Sequence, residues 1–90
     1  MEKRKTVVRV AGKDYTIASI DPPEHVQRVG VYVDRKMQEI ETASHLPSNM
    51  VAILASLNIA DELLKSHDEN TRLRRELMVA RQELKKATKK

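Results

Sequence analysis

Cysteine, phenylalanine and tryptophan are absent from this 90-residue sequence, and glycine occurs only twice, as Gly12 and Gly30. Without cysteine the chain can form neither a disulfide framework nor a thiolate metal site. Two isolated glycines also exclude a glycine-rich loop of the kind that cradles phosphate groups. No apolar run approaches the length of a transmembrane helix, and no signal-peptide core follows Met1. We therefore expect a cytoplasmic protein that makes no contact with a membrane.

The arrangements of side chains that support catalysis are also missing. The three histidines, at positions 25, 45 and 67, are too far apart to form a short-spaced metal pair. Asp61 and Glu62 are adjacent, so their side chains would point about 100° apart on a helix and could not act as a carboxylate pair. No cluster of serine, histidine and aspartate suggests a nucleophile. The sequence predicts no catalytic residue, metal, cofactor or small-molecule substrate, and hence no enzyme.

The sequence does contain an uninterrupted helical pattern from about Ser48 to Lys90, without a glycine or a proline. A helix of that length would extend roughly 60 Å, at ~1.5 Å per residue. The rest of the chain is too small to cover it, so part of its apolar surface must be buried by another chain. This pattern predicts an obligate oligomer with a bridging role rather than a chemical one.

Residues 6–17 indicate a β-hairpin, because partly alternating apolar residues flank Gly12-Lys13 as a two-residue turn. With that turn, Val10 would lie opposite Tyr15, and Val8 would lie opposite Ile17 on the same apolar face. An isolated hairpin is marginal in water. We therefore expect a helix, the hairpin of a second chain, or both to cover this face.

A first helix is predicted to follow the hairpin. Asp21 can serve as its N-cap, with Pro22 in the first turn and Glu24 completing a capping box. Gly30 would allow another helix to approach closely, and Ser48 is the expected N-cap of the long helix. The apolar positions of the first helix recur at helical spacing, at Val26, Val29, Val33, Met37 and Ile40.

Together these elements predict an α+β fold. The hairpin, the first helix and the start of the second helix would form a small globular head over residues 1–64. Residues 65–90 would continue as a coiled-coil extension. The apolar face of the second helix is broad as far as Leu64, which suits the core of a head, and it is narrower beyond that residue.

Beyond Leu64 the apolar residues follow steps of three and four, as the a and d positions of a coiled coil do. In a parallel pair of helices, glutamates at g would face arginines at e, namely Glu69 with Arg74 and Glu76 with Arg81. An antiparallel pair would instead oppose like charges. Each exposed ion pair contributes only a few tenths of a kcal/mol, but all favour the parallel arrangement.

Two further features concern the type of assembly. Asn70 at an a position also favours a parallel two-stranded coil. A second, weaker stripe of Leu64, Thr71 and Met78 would be redundant in that coil, but it would allow two dimers to join as a four-helix bundle. The predicted oligomerisation residues are Leu63, Leu64, Asn70, Leu73, Leu77, Met78, Ala80 and Leu84.

Basic residues cluster at residues 3–5 and again at Lys85, Lys86, Lys89 and Lys90. Such clusters are commonly solvated termini. The alternative is an architectural nucleic-acid-binding protein that uses these basic termini. A basic zipper, however, needs a long basic helix directly before the heptads. Residues 60–69 contain at least as many acidic as basic residues, so sequence-specific DNA binding is disfavoured.

Three segments carry a family resemblance. Residues 8–17 look like a strand, a glycine-basic turn and a second strand, and residues 32–40 look like the end of a first helix. Residues 51–63 are similar to the family's most recognisable segment, with Leu57, Asn58 and Ile59 its most specific part. On these residues the sequence resembles ZapA, a bacterial cell-division family that binds the tubulin-like GTPase FtsZ. Ser56 departs from this likeness, because the family usually has alanine there.

The resemblance implies a homodimer of small α/β heads, which can join tail to tail as a homotetramer. It further implies a non-enzymatic regulator that binds FtsZ filaments and cross-links protofilaments into bundles at the mid-cell division ring. Matching motif positions place Lys13, at the turn, and Asn49, at the start of the long helix, among the FtsZ contacts. Cations of the head that lie off its apolar stripe complete the expected partner-binding set: Arg9, Arg28, Arg35 and Lys36.

Overall fold

The computed structural model describes residues 2–88, which form two β-strands followed by two α-helices. Strand β1 spans Arg4–Val10 and β2 spans Lys13–Ser19; helix α1 spans Pro23–Ser44 and α2 spans Ser48–Thr88. This order confirms the predicted fold class. The chain divides into two compact units between Asn58 and Ile59. The boundary after residue 64, predicted from the width of the apolar face, stays a prediction.

The hairpin turn lies one residue earlier than predicted. Val10 pairs with Lys13 and Val8 with Tyr15, so the two-residue turn is Ala11-Gly12. Both turn residues have positive φ, 52° and 78°, as a type I′ turn requires. The predicted Gly12-Lys13 turn is therefore wrong. A glycine can occupy either position of a two-residue turn, so the sequence alone does not decide which pair forms it. The register differs by two positions, so the same side chains still share a face.

Helix α1 covers one face of the hairpin. Thr6 and Val8 of β1 are buried there, as are Val26 and Gly30 of α1. A Cβ atom on Gly30 would lie only 2.9 Å from Cβ of Val8, so the missing side chain lets the strand rest directly on the helix. Gly30 therefore permits a close approach, as predicted, but the element that approaches is β1 rather than another helix.

The start of α1 differs from the prediction that Asp21 is its N-cap. Pro22 occupies the N-cap position, no side chain caps the helix, and Pro23 is its first residue. Asp21 instead pairs locally with Ser19. Its backbone N–H donates to Ser19 Oγ at 3.0 Å, and that hydroxyl donates to Asp21 Oδ2 at 3.3 Å. These hydrogen bonds with Ser19 replace the predicted capping box. Aspartate often forms such local hydrogen bonds, which compete with its role as a helix cap.

The connection between the helices is short. His45 ends α1 in the left-handed conformation, with φ of 54°, and its N–H donates to the carbonyl oxygen of Glu41. The carbonyl oxygen of Pro47 accepts hydrogen bonds from the N–H groups of Met50 and Val51. Ser48 is therefore the first residue of α2, and the prediction that it is the N-cap is wrong by one position.

The hydrophobic core is small and lies between α1 and the start of α2. Met37, Val51 and Ala55 are buried, and they contact a ring of partly buried residues: Val10, Val33, Ile40, Leu46 and Ala52. The broad apolar face predicted for α2 is thus only partly used within one chain. Its remaining members in this unit are exposed: Met50, Ile53, Leu54 and Leu57.

The second unit consists of the rest of α2. Every described residue from position 60 onwards is exposed in the single chain. Charged side chains pair along the helix, and the hydrogen bond from Lys65 to Asp61, 2.9 Å long, raises the pKa of the lysine above its ordinary value. Neither helix, over the residues that are described, has both the length and the apolar character that a membrane crossing requires.

Candidate functional site

The cations that the sequence predicts as partner contacts fall into two groups, the first of which lies on the hairpin. Lys13 directly follows the turn, is exposed, and forms no ion pair within residues 2–88. Arg9 is also exposed, but its guanidinium lies 3.2 Å from the carboxylate of Asp14 on the opposite strand. Of these two predicted contacts, Lys13 is therefore the one whose charge is more available to an anionic partner.

The second group lies on α1 and includes a residue that the sequence analysis missed. Helical spacing places four residues on one face of α1: Arg28, Tyr32, Arg35 and Lys36. We term this the α1 cationic face. The Arg35 guanidinium carbon lies 5.4 Å from the centroid of the Tyr32 ring, and Lys36 Nζ lies 5.5 Å from it. Both distances are within the range of cation–π attraction. The sequence contains a signal for this cluster, because Tyr32 lies three positions before Arg35 and four positions before Lys36, the spacing of neighbours on one helix face.

The structure does not bring these two groups into one patch. Residues two positions apart on a helix point about 200° apart. Arg28 and Tyr32 lie two positions on either side of Gly30, which contacts β1. The α1 cationic face is therefore turned away from the hairpin. Asn49, the remaining predicted contact, is exposed in the first turn of α2.

Polar contacts from α1 hold the hairpin in addition to the apolar contact at Gly30. The backbone N–H of Ala11 donates to Asp34 Oδ1 at 2.8 Å, and Gln38 Nε2 donates to Asp34 Oδ2 at 3.0 Å. Nearer the start of the helix, Gln27 Nε2 donates to the carbonyl oxygen of Val7 at 2.6 Å. The turn that precedes Lys13 is thus tied to α1 by a residue distant in sequence.

The predicted oligomerisation residues all lie on the exposed surface of the second unit. The larger apolar members are roughly half exposed or more, from 47% for Leu73 to 65% for Leu84. Asn70 and Ala80 are also exposed. Nothing in the second unit covers this stripe, so the structure leaves it available to another helix.

Two glutamates that the heptad register assigns to contacts between chains are engaged within the helix. Arg72 Nη1 lies 2.9 Å from a carboxylate oxygen of Glu76, and the same guanidinium also pairs with Glu69. A parallel coil would offer Arg74 and Arg81 of a second chain as competing partners. Because both sets of ion pairs are exposed, the difference in free energy between them is small, and the pairs between chains stay a prediction.

The candidate contacts are mainly cationic side chains, which favour an anionic surface as a partner. Within residues 2–88 no three acidic, histidine or cysteine side chains are grouped so that they could hold a metal ion. No buried side-chain nitrogen or oxygen in this part of the chain lacks a hydrogen-bond partner. Exposed groups suited to recognition include the cations of the head and the apolar stripe of α2.

Comparison with known sequences finds relatives over most of the chain. The profile of the family described as cell division protein ZapA matches residues 6–90. A cell division protein ZapA from Shouchella clausii is 41% identical over 64 residues, which cover 70% of this chain and 82% of that protein. The ZapA from Geobacillus kaustophilus is 41% identical over 76 residues, covering 83% of this chain and 84% of the relative.

Solved structures show the same fold. A ZapA mutant dimer from Geobacillus stearothermophilus superposes with a TM-score of 0.71 at 37% identity, covering 87% of this chain and 92% of that one. An unknown conserved bacterial protein from Pseudomonas aeruginosa gives a TM-score of 0.62 at 26% identity, with 92% and 90% of the two chains covered.

Proposed function

Because this chain belongs to the ZapA family of cell division proteins, we propose that it is a non-enzymatic regulator which binds FtsZ filaments and cross-links them into bundles. The observation that carries the proposal is the uncovered apolar stripe of α2. A chain that pairs through this stripe places two heads in one particle. In a parallel dimer both heads lie at the same end, so the tail-to-tail tetramer, with heads at both ends, is the particle that would hold two filaments together.

The assembly that we propose is a homodimer, formed in parallel through α2, and a homotetramer of two such dimers. The solved relative from Geobacillus stearothermophilus is a ZapA mutant dimer, which supports the first step. The second stripe supports the other step, because Leu64 and Met78 are each 63% exposed and lie outside the a and d seam. Four heads per particle would bind a filament lattice with high avidity even if each contact is weak.

We propose that the heads recognise an anionic surface of FtsZ. Lys13 and the α1 cationic face supply the positive charge, and Asn49 and Arg9 are secondary contacts. Tyr32 would restrict the side chains of Arg35 and Lys36 through its ring, which reduces the conformational entropy that they lose on binding. Binding of this kind would direct the protein to the division ring at mid-cell, in the cytoplasm.

Co-sedimentation with purified FtsZ polymers tests this function. The wild-type protein is expected to pellet with polymers and to leave the pellet when GTP is omitted and FtsZ does not polymerise. If it stays in the supernatant under both conditions, the proposed function is wrong.

The nucleic-acid alternative can be tested in the same experiment. Arg4 and Lys5 lie within β1, so the basic clusters are better neutralised to glutamine than deleted. Lys85 and Lys86 are exposed near the end of α2, whereas Lys89 and Lys90 lie outside the described residues. The neutralised variant should pellet with FtsZ polymers as the wild type does. If the neutralised variant loses its binding to FtsZ polymers and also its binding to a DNA duplex, the nucleic-acid-binding function is favoured instead.

A further inference from the structure

The first residue of the hairpin turn has a conformation that its side chain disfavours. Ala11 has φ of 52°, in the left-handed region, where a Cβ atom crowds the neighbouring backbone. Type I′ turns accordingly favour asparagine, aspartate or glycine at this position. Ala11 is also exposed, so burial of its methyl group does not compensate. The turn therefore depends on a contact from outside the hairpin.

Asp34 provides that contact. Its Oδ1 accepts the backbone N–H of Ala11 at 2.8 Å, across 23 positions of sequence. Its Oδ2 accepts a hydrogen bond from Gln38 at 3.0 Å, one helical turn further along α1, so both carboxylate oxygens are engaged. A hydrogen bond to an ionised carboxylate is stronger than one between neutral groups. Asp34 follows Gly30 by one helical turn and thus lies on the side of α1 that contacts β1.

The turn is also the segment that presents Lys13. This lysine follows Gly12 directly and pairs with Val10, whose side chain packs against the core. The position of the ammonium group therefore depends on the backbone of residues 11 and 12. A change of the turn to another type would redirect Lys13 while leaving the core residues in place.

We propose that Asp34 is a positioning residue that holds Ala11 in the left-handed conformation and thereby fixes Lys13 for contact with an anionic partner. Only the last step, the contact of Lys13 with FtsZ, rests on the proposed function. The first step is a property of the folded head by itself.

A direct role of Asp34 in binding makes the opposite prediction. An acidic side chain that faced an anionic partner would repel it, so its removal would strengthen binding. If Asp34 instead positions Lys13, its removal should weaken binding, even though no positively charged contact to the partner is lost. The sign of the effect therefore separates the two roles.

Asp34→Ala is the first variant. Amide hydrogen exchange, measured by NMR, should become roughly tenfold faster at Ala11, as expected for the loss of one hydrogen bond. The melting temperature should change little, because the lost bond is exposed and the core is untouched. Affinity for FtsZ polymers should fall by about as much as it does in Lys13→Ala. Asp34→Asn keeps an acceptor oxygen for the Ala11 N–H but loses the charge, so its exchange rate and affinity should lie between those of the wild type and of Asp34→Ala.

Rescue by a change of the turn itself is the decisive arm. Ala11→Asn gives an Asn-Gly turn, which adopts the required conformation without help. The double variant Ala11→Asn with Asp34→Ala should recover wild-type affinity. Asp34→Ala combined with Lys13→Ala should bind no more weakly than Lys13→Ala alone.

Any one of three results would overturn the proposal. The first is an unchanged exchange rate at Ala11 in Asp34→Ala. The second is an unchanged affinity of Asp34→Ala when Lys13→Ala does weaken binding, and the third is a failure of Ala11→Asn to restore the affinity of Asp34→Ala. If the wild type binds no FtsZ polymers, the proposed function fails and the positioning of Lys13 for this partner fails with it. The exchange measurement would then still show whether Asp34 holds the turn. If Asp34→Ala does not fold, amide exchange at residue 11 is measured in two other variants, Asp34→Asn and the double variant Ala11→Asn with Asp34→Ala. Those rates then decide whether Asp34 holds the turn.

Discussion

Lys13 and Arg9 are both cations of the hairpin, but their charges have different surroundings. Arg9 lies 3.2 Å from Asp14 on the neighbouring strand. An exposed pair of this kind contributes little to stability, yet it provides the guanidinium with a local counter-charge. Lys13 is exposed and has no such pair within the described chain. A partner that binds the hairpin through charge should therefore be more sensitive to Lys13 than to Arg9.

We expect Lys13→Glu to weaken binding to FtsZ polymers without unfolding the head. The side chain is exposed, so the free energy of unfolding should change by no more than about 0.5 kcal/mol. Charge reversal replaces attraction by repulsion in every head, so bundling should fall more steeply than the affinity of a single head. Co-sedimentation alongside a melting curve measures both.

Lys5→Glu is the matched control for that experiment. It makes the same change in net charge on the same hairpin, at an exposed position far from the turn, where Lys5 pairs with Ala18. It should pellet with polymers as the wild type does. Unchanged pelleting of Lys13→Glu at an unchanged melting temperature would remove Lys13 from the binding surface.

At the scale of secondary-structure elements, the contact between β1 and α1 organises the head. Val8 is only 2% exposed, and it rests on the helix at the one α1 position that has no side chain. Asp34 and Gln27 of α1 add hydrogen bonds to the backbone of β1 and the turn. The hairpin, which would be marginal alone, is thus held by apolar and polar contacts from one helix.

Gly30→Ala should destabilise the head by about 1 kcal/mol. Alanine favours a helix over glycine by about 1 kcal/mol, but the added Cβ would overlap Val8, and overpacking typically costs ~1–3 kcal/mol. Thermal unfolding measures the balance. Val31→Ala is the control, because Val31 is 63% exposed on the same helix and its replacement should change stability by no more than about 0.5 kcal/mol. A higher melting temperature for Gly30→Ala would mean that β1 and α1 are not in tight contact.

The existence and order of the elements could be predicted from the sequence, because helical and strand periodicity are local signals. The turn and the cap could not. Gly12 fits either position of a two-residue turn, and the structure selects Ala11-Gly12 with help from Asp34, which is distant in sequence. Asp21 could have capped α1, but it pairs with Ser19. Such choices depend on competing contacts, which a pattern of residue types does not rank.

Burial within α2 could be predicted only in part for a similar reason. Val51 and Ala55 are buried, whereas Ile53 and Leu57 on the same helix are at least 60% exposed. All of these are apolar, so the sequence shows that the helix needs partners on several sides without showing which side faces its own chain. Tyr32 was missed because its role depends on two cations packing against its ring.

Asn70→Leu should raise the melting temperature and loosen the specificity of assembly. At an a position a buried asparagine costs stability but favours one register and orientation. Native mass spectrometry should show mixed species for this variant and one dominant species for the wild type. Gln82→Leu introduces the same residue at position 82, an f position on the outer side of the predicted heptads, and should not change the species present. A lower melting temperature for Asn70→Leu would place Asn70 outside the seam.

At the scale of the whole molecule, a single chain buries few apolar side chains. The buried apolar side chains among the described residues are Val8, Val26, Met37, Val51 and Ala55, and domains with so small a core usually need oligomerisation. The apolar stripe of the second unit is exposed throughout the part of the chain that the structure describes. We therefore expect no stably folded monomer at micromolar concentration, and the stability of the fold should depend on protein concentration.

Head and stripe belong to different units of the chain, so each can be altered separately. Leu77 is half exposed in the single chain and lies at a central a position of the predicted seam. Leu77→Asp would bury an unpaired charge in the coil, which costs several kcal/mol, about 3–5 by comparison with broken buried ion pairs. The variant should lose the tetramer and retain folded heads. Gln82→Asp places the same residue at a predicted f position and should leave the tetramer intact.

The most direct test of a bridging function is sedimentation of FtsZ polymers with these proteins at two speeds. Low speed pellets only bundles, whereas high speed pellets single filaments as well. The wild type and Gln82→Asp should move FtsZ into the low-speed pellet. Leu77→Asp should accompany FtsZ at high speed but leave it in the supernatant at low speed. If Leu77→Asp bundles filaments as well as the wild type does, bridging does not depend on the α2 stripe, and the proposed mechanism of cross-linking is contradicted.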